Sequence, residues 1–109
     1  MIDFEISDDL RSLRDLAREF ARNEIAPVAD HYDRTAEFPW PVVQKAFDVG
    51  LMYASLPEQY GGAGIGVLAE CLIVEELAWG CTGISAAPVV GSLIASGLAI
   101  AGSDRKSVV

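Results

Sequence analysis

The sequence predicts an all-α fold, an orthogonal or up-and-down bundle of about four to five helices. Three observations carry that prediction. Apolar residues recur at the helical period through the first quarter of the chain, no segment shows a convincing two-residue alternation, and Pro and Gly mostly punctuate the helical patterns. The 109 residues suffice for one modest domain with one core, taken as 1–109, and no internal repeat or linker divides them.

Ser7, followed by Asp8 and Asp9, is a helix start: a side-chain cap and two negative charges at the positive end of the helix dipole. Leu10, Leu13, Leu16, Ala17, Phe20, Ala21 and Ile25 then form an apolar stripe opposite Arg11, Arg14, Asp15, Arg18, Glu19 and Arg22. The mixed charge of the polar side favours core packing over membrane docking. Pro27 predicts a kink or restart before Asp30–Asp33, because proline inside a helix removes a hydrogen bond and costs about 3 kcal/mol. The lone His31, between Asp30 and Asp33, lacks the partners of a metal site and reads as a solvated helix end.

Pro39 and Pro41 suit the entry to a second, short helix through Val43, Ala46 and Phe47, stopped by Gly50. Leu51 to Leu56 reads as buried irregular backbone leading to the stretch Leu56-Pro57-Glu58-Gln59-Tyr60-Gly61-Gly62-Ala63-Gly64-Ile65-Gly66. Glycine at this density makes a shaped loop between helical layers. A phosphate cradle is the weaker reading beside that turn, since the loop lacks the lysine and following Ser/Thr of a Walker loop and no strand precedes it.

Val67 to Trp79, closed by Gly80, is the next helix. Its Glu70, Glu75 and Glu76 form no clean polar stripe, which predicts cover over most of its circumference. From Cys81 to Ser103 there is no charged residue, so a membrane-spanning helix is a formal candidate. The many Gly, Ser, Thr and Pro residues in the run and the missing symmetric anchors favour instead a buried helix closely packed through small side chains.

Composition narrows the functional classes. The formal charge is −8, from 16 Asp+Glu against 8 Lys+Arg, which repels nucleic acid and anionic membranes. The chain is 51% hydrophobic with a mean hydropathy of +0.30, so some apolar surface is expected to need a partner. Cys71 and Cys81 have no CxxC spacing and read as small reduced packing residues. Met1-Ile2-Asp3-Phe4-Glu5 lacks the pattern of a signal or transit peptide, and a cytoplasmic location is the expectation.

Landmarks along the chain carry a family resemblance. Phe20-Ala21-Arg22-Asn23-Glu24-Ile25-Ala26-Pro27, Asp33-Arg34-Thr35, Phe38-Pro39, Gly50-Leu51-Met52, the glycine loop and Glu75-Glu76-Leu77-Ala78-Trp79-Gly80-Cys81-Thr82-Gly83 follow one order and register. In that order the chain resembles the N-terminal helical domain of acyl-CoA dehydrogenases, most closely the medium-chain type. The resemblance runs as far as Ala101-Gly102-Ser103-Asp104. It implies an FAD-dependent 2,3-dehydrogenation of acyl-CoA thioesters of the fatty-acid β-oxidation type, with electrons passed to an electron-transferring flavoprotein. It also implies that the catalytic glutamate and the main FAD contacts lie in a middle β domain and a C-terminal bundle that this chain lacks, so it assigns no catalytic, cofactor or metal residue here. The isolated chain is then expected to be inactive and to bind FAD weakly at most.

What the resemblance places in this chain is part of the acyl-chain pocket, at Ser85, Ala86, Val89, Val90 and Leu93. An alkyl chain suits such residues, because burying a methylene contributes about 0.8 kcal/mol and needs no polar partner. For Val90, ordinary core and pocket wall are equally open. Two departures stand out. Medium-chain enzymes have polar or acidic groups where this chain has Ala86 and Val89, and Pro88 falls within the expected helix. The family also continues past Asp104 with a lysine-rich turn where this sequence has Arg105-Lys106-Ser107-Val108-Val109, which suggests a truncated or frameshifted reading frame. The competing functional classes are a stand-alone helical interaction module that self-associates through apolar surface and a small membrane protein using residues 81–103.

Overall fold

The structure is a computed structural model and describes residues 3–103. The expectations about Met1 and Ile2 and about the ending at 104–109 lie outside the described residues. The described part holds five α-helices and no strand. They are α1 (Asp8–Phe20), α2 (Ala29–Thr35), α3 (Trp40–Asp48), α4 (Val67–Gly80) and α5 (Thr82–Ala101).

The Ser7 hydroxyl accepts the Leu10 N–H at 3.3 Å, so α1 begins at the predicted cap. The break at Pro27 is gradual. A π turn over Ala21–Ile25 is followed by a 3-10 turn over Ala26–Val28, and α2 restarts at Ala29. Proline has no N–H to return to the fourth carbonyl behind it, and the wider turn followed by a tighter one lets the chain pass that residue while Ala21 and Ile25 stay fully buried. α2 ends at Ala36 with φ +57°, whose N–H donates to the Tyr32 carbonyl at 3.0 Å. His31 is exposed there, 3.8 Å from Glu37.

Pro39 and Pro41 open α3, which buries Val42 and Ala46. Gly50 at φ +82° then lets Leu51 N–H reach the Ala46 carbonyl at 2.9 Å. Leu51, Ala54 and Leu56 are buried, in line with the expectation for this irregular stretch. The glycine loop folds back on it. Gly64 and Ile65 N–H groups donate to the Leu56 and Ala54 carbonyls at 2.9 and 2.8 Å, and a Cβ on Gly62 would fall on the Leu56 carbonyl and 2.5 Å from Leu56 Cβ.

α1 and α4 pack together most extensively, and α4 also packs on α5. The core lies between them: Ala17, Phe20, Ala21 and Ile25 meet Ile73 and Leu77, with Val42, Ala46, Leu51 and Ile84 closing it. Gly80 lets the end of α4 approach the π turn, since a Cβ there would meet the Ala21 carbonyl and Ile25 Cγ2 at 3.0 Å. A single extended residue, Cys81 at φ −172°, joins α4 to α5.

Two ion pairs brace the surface. Arg18 Nε and Nη2 donate to the Glu76 carboxylate at 3.1 and 2.9 Å, tying α1 to α4 in a bidentate pair. The hydrogen bond to Glu76 and its negative charge raise the Arg18 pKa above its ordinary value. Lys45 Nζ donates to Glu24 at 2.7 Å and ties α3 to the π turn.

Three expectations need correction. α4 is not covered round most of its circumference: Ala69, Ile73 and Leu77 face the core, while Leu68, Cys71, Glu75 and Trp79 are exposed. Cys71 is therefore not a packing residue, whereas Cys81 lies at the edge of the core. α5 is not a buried helix either, because only Ile84, Ser85, Pro88 and Ser92 are buried along it. The cause is common to all three. The other described elements are too few to flank both sides of α4 and α5, and the result is a slab with extents of 43 × 38 × 22 Å. Its radius of gyration is 14.7 Å, against about 13 Å for a compact chain of this length.

Candidate functional site

α5 carries all five residues assigned to a pocket by resemblance, and the structure divides them. At 100° per residue, Ala86, Val90 and Leu93 fall on one side of the helix, and all three are exposed. Val89 is half-buried at the rim of that face, against a crevice with Leu51, Ile73, Pro88 and Ser92. Ser85 lies apart. It is buried, and its hydroxyl donates to the Thr82 carbonyl at 2.8 Å.

The exposed face continues beyond these positions. Gly97 and Ile100 extend the alternating four- and three-residue spacing of Ala86, Val90 and Leu93, and Ile94 flanks it. The sequence reading assigns neither Ile94 nor Ile100; continuing the 86, 90, 93 spacing finds Ile100, whereas Ile94 lies off that series. No charged residue occurs along α5, which by length and composition is also apolar enough to cross a membrane. α5 continues through Pro88, which is buried and has no N–H to give to the helix ladder.

The opposite side of α5 meets the irregular stretch and the glycine loop. Ser92 Oγ accepts the Tyr53 N–H at 3.0 Å. Further along, Leu56 and Tyr60 face Ala95, Leu98 and Ala99 across an open groove of ≈ 340 Å³ that contains none of the five assigned residues. A second groove, of ≈ 350 Å³, lies between α1 and α4 and is lined by Arg18, Arg22, Glu75, Glu76 and Trp79, with the Arg22 guanidinium 5.9 Å from the Trp79 ring centroid.

Two of the carboxylates near these features have structural partners. Glu76 holds Arg18, and Glu70 accepts the Ser55 hydroxyl. Among the described residues no group of three His, Cys, Asp or Glu side chains could hold a metal ion. Chemically, then, the α5 face can cover an apolar ligand or another apolar surface, and it presents no nucleophile or acid–base group of its own.

Similarity to known proteins extends over nearly the whole chain. The family described as acyl-CoA dehydrogenase, N-terminal domain, matches residues 7–106. A probable medium-chain specific acyl-CoA dehydrogenase 2, mitochondrial, of Caenorhabditis briggsae is 33% identical over 105 residues, 96% of this chain and 26% of that protein. Probable acyl-CoA dehydrogenase YngJ of Bacillus subtilis (strain 168) is 40% identical over 107 residues, 96% of this chain and 28% of that protein. A 3-(aryl)acrylate reductase of Clostridium sporogenes (strain ATCC 15579) is 40% identical over 96 residues, 86% of this chain and 25% of that protein. Among solved structures, the electron transferring flavoprotein of Acidaminococcus fermentans, studied towards a mechanism of flavin-based electron bifurcation, matches with a TM-score of 0.81 at 27% identity, over 95% of this chain and 28% of that one. The chain thus spans about a quarter of the length of the relatives it matches.

Proposed function

Because the chain belongs to the acyl-CoA dehydrogenase family, as its N-terminal helical domain, we propose that it serves an FAD-dependent 2,3-dehydrogenation of acyl-CoA thioesters in fatty-acid β-oxidation. In this reading the exposed side of α5 is one wall of the acyl-chain pocket, and a middle β domain and C-terminal bundle outside this chain supply the rest. The observation that carries it is the uncharged face of Ala86, Val90 and Leu93, rimmed by Val89, in a protein of net charge −8. An alkyl chain laid on such a face loses water from both surfaces and leaves no polar group unpaired. The residues of α5 bind and orient the chain and exclude water; they move no proton.

FAD would supply the hydride-accepting chemistry of such an enzyme, held by residues outside this chain. Neither groove described above suits it: the ≈ 340 Å³ groove is lined by Leu56, Tyr60, Ala95, Leu98, Ala99, Gly102 and Ser103, with no cation to meet a diphosphate, and in the ≈ 350 Å³ groove Arg18 is held by Glu76 while Glu75 and Glu76 repel an anion. We therefore assign the flavin, and the contact with an electron-transferring flavoprotein, to the whole enzyme and expect the isolated chain to be inactive. A reductase among the relatives suits this division, since a wall that holds an acyl chain serves oxidation and reduction alike.

The test is a chimera in which this chain replaces the matching quarter of the Bacillus subtilis relative. It is expected to bind FAD and to reduce a dye with an acyl-CoA substrate. Leu93→Ala, at a side chain that is 71% exposed in the domain, is expected to leave the isolated domain's stability within about 0.5 kcal/mol. In the chimera the same change is expected to raise KM for the acyl-CoA about tenfold, through lost methylene burial. A folded, flavin-loaded chimera without activity would sink the proposed activity; an active one indifferent to Leu93→Ala and Val90→Asp would sink the wall.

The same bare faces favour a second reading, a helical module that pairs through apolar surface. Its mark is self-association that persists at high salt in the isolated chain.

A further inference from the structure

The backbone between α3 and the glycine loop has no regular structure, yet one residue in it is held from every side. Tyr53 has φ +62°, a conformation that costs any residue with a Cβ, because that atom crowds the following carbonyl oxygen. Its N–H donates to Ser92 Oγ at 3.0 Å, and Ser92 is buried at 4% exposure on a helix without charged residues. Its ring lies against Gly91, where a Cβ would stand 3.1 Å from the Tyr53 hydroxyl oxygen and 3.7 Å from Cε1, and it meets Phe47 edge-on at 6.5 Å.

The other side of Tyr53 belongs to the loop. Its carbonyl accepts the N–H groups of Leu56 and Ala63, both at 3.2 Å, and the next carbonyl, of Ala54, accepts the Ile65 N–H at 2.8 Å. The N–H of Tyr53 is thus spent on α5 and its C=O on the glycine loop. Leaving the left-handed conformation would turn these two groups relative to each other and break one set of bonds.

We propose that Ser92 is a positioning residue: its hydroxyl holds Tyr53 left-handed and thereby couples the glycine loop to α5, so that the loop and the helix bearing the acyl wall keep one register. The consequence for substrate rests on the function proposed above; the coupling itself does not. Ser92 lies three residues after Val89 and directly before Leu93, so a shift of α5 at this point displaces both.

Amide hydrogen exchange on the present chain, followed by NMR, tests it. In Ser92→Ala, exchange at Ala63 and Ile65 is expected to rise about tenfold relative to Ile73 in the core, the size of one left-handed residue's cost read as an opening equilibrium. Ser92→Thr keeps a hydroxyl and is expected to stay within about twofold of the parent. Tyr53→Gly removes the strain, so adding Ser92→Ala to it is expected to change those two amides by no more than about twofold. An equal acceleration at Ala63, Ile65 and Ile73 would make Ser92 merely structural and overturn the proposal, as would a tenfold effect that survives Tyr53→Gly. If Ser92→Ala does not fold, the Tyr53→Gly pair decides the matter alone. None of these failures touches the acyl wall, which stands or falls with the chimera.

Discussion

Gly62→Ala is expected to destabilise the domain by about 3 kcal/mol, lowering the Tm by roughly 10–20 °C in a thermal melt followed by helical circular dichroism. The added methyl has nowhere to go. It falls on the Leu56 carbonyl, and the nearest atoms are backbone or Cβ, none of them the far end of a flexible side chain. Accommodating it would push Leu56 outward from its buried site and break the Gly64 N–H bond to the Leu56 carbonyl. The neighbouring Gly61 provides the control. It has φ +87° with open space where a Cβ would be, so Gly61→Ala meets only the left-handed penalty, about 1 kcal/mol. The opposite ranking would mean that the loop does not fold back on Leu56 as described.

Ile73→Ala is expected to cost about 3–4 kcal/mol, checked by urea denaturation with the slope unchanged. Ile73 is 2% exposed and lies where α1, α4 and α5 meet. Removing three carbons there loses their transfer free energy and leaves a cavity that rigid helices on both sides cannot fill. Since a domain of this size has only about 5–15 kcal/mol in total, the variant will be partly unfolded under mild stress. Leu68→Ala, on the same helix but facing outward, should change stability by no more than about 0.5 kcal/mol.

That contrast between Ile73 and Leu68 shows where the sequence stops being informative. The punctuation was legible because it rests on local chemistry: a hydroxyl at Ser7, a missing N–H at Pro27, positive φ at Gly50 and the density of glycine from 61 to 66. The faces of α4 were not, because Leu68, Leu72, Ile73 and Leu77 are apolar all round and periodicity alone cannot say which side has a neighbour. The site was legible in part for the same reason. Ala86, Val90 and Leu93 share a face that spacing reveals, whereas Ser85 belongs with Pro88 and Ser92 on the buried edge, a three- and four-residue spacing of small side chains. Tyr53 gave no signal at all: a non-glycine residue in a left-handed conformation depends on tertiary partners, Ser92 among them, that are distant in sequence.

The one-residue junction at Cys81 turns α5 into a lever. Its 20 residues are about 30 Å long, so a 10° change at the pivot would carry the Ile100 end through roughly 5 Å while Ala86 moved by only about 1 Å. Ser92 lies about halfway along and is bonded to Tyr53 there. That bond resists such a swing, and where it yields, an adjustment at Cys81 moves Gly97 and Ile100 far more than Ala86. Substitutions at or next to the pivot are therefore expected to be felt most at the far end of the helix, about 30 Å away.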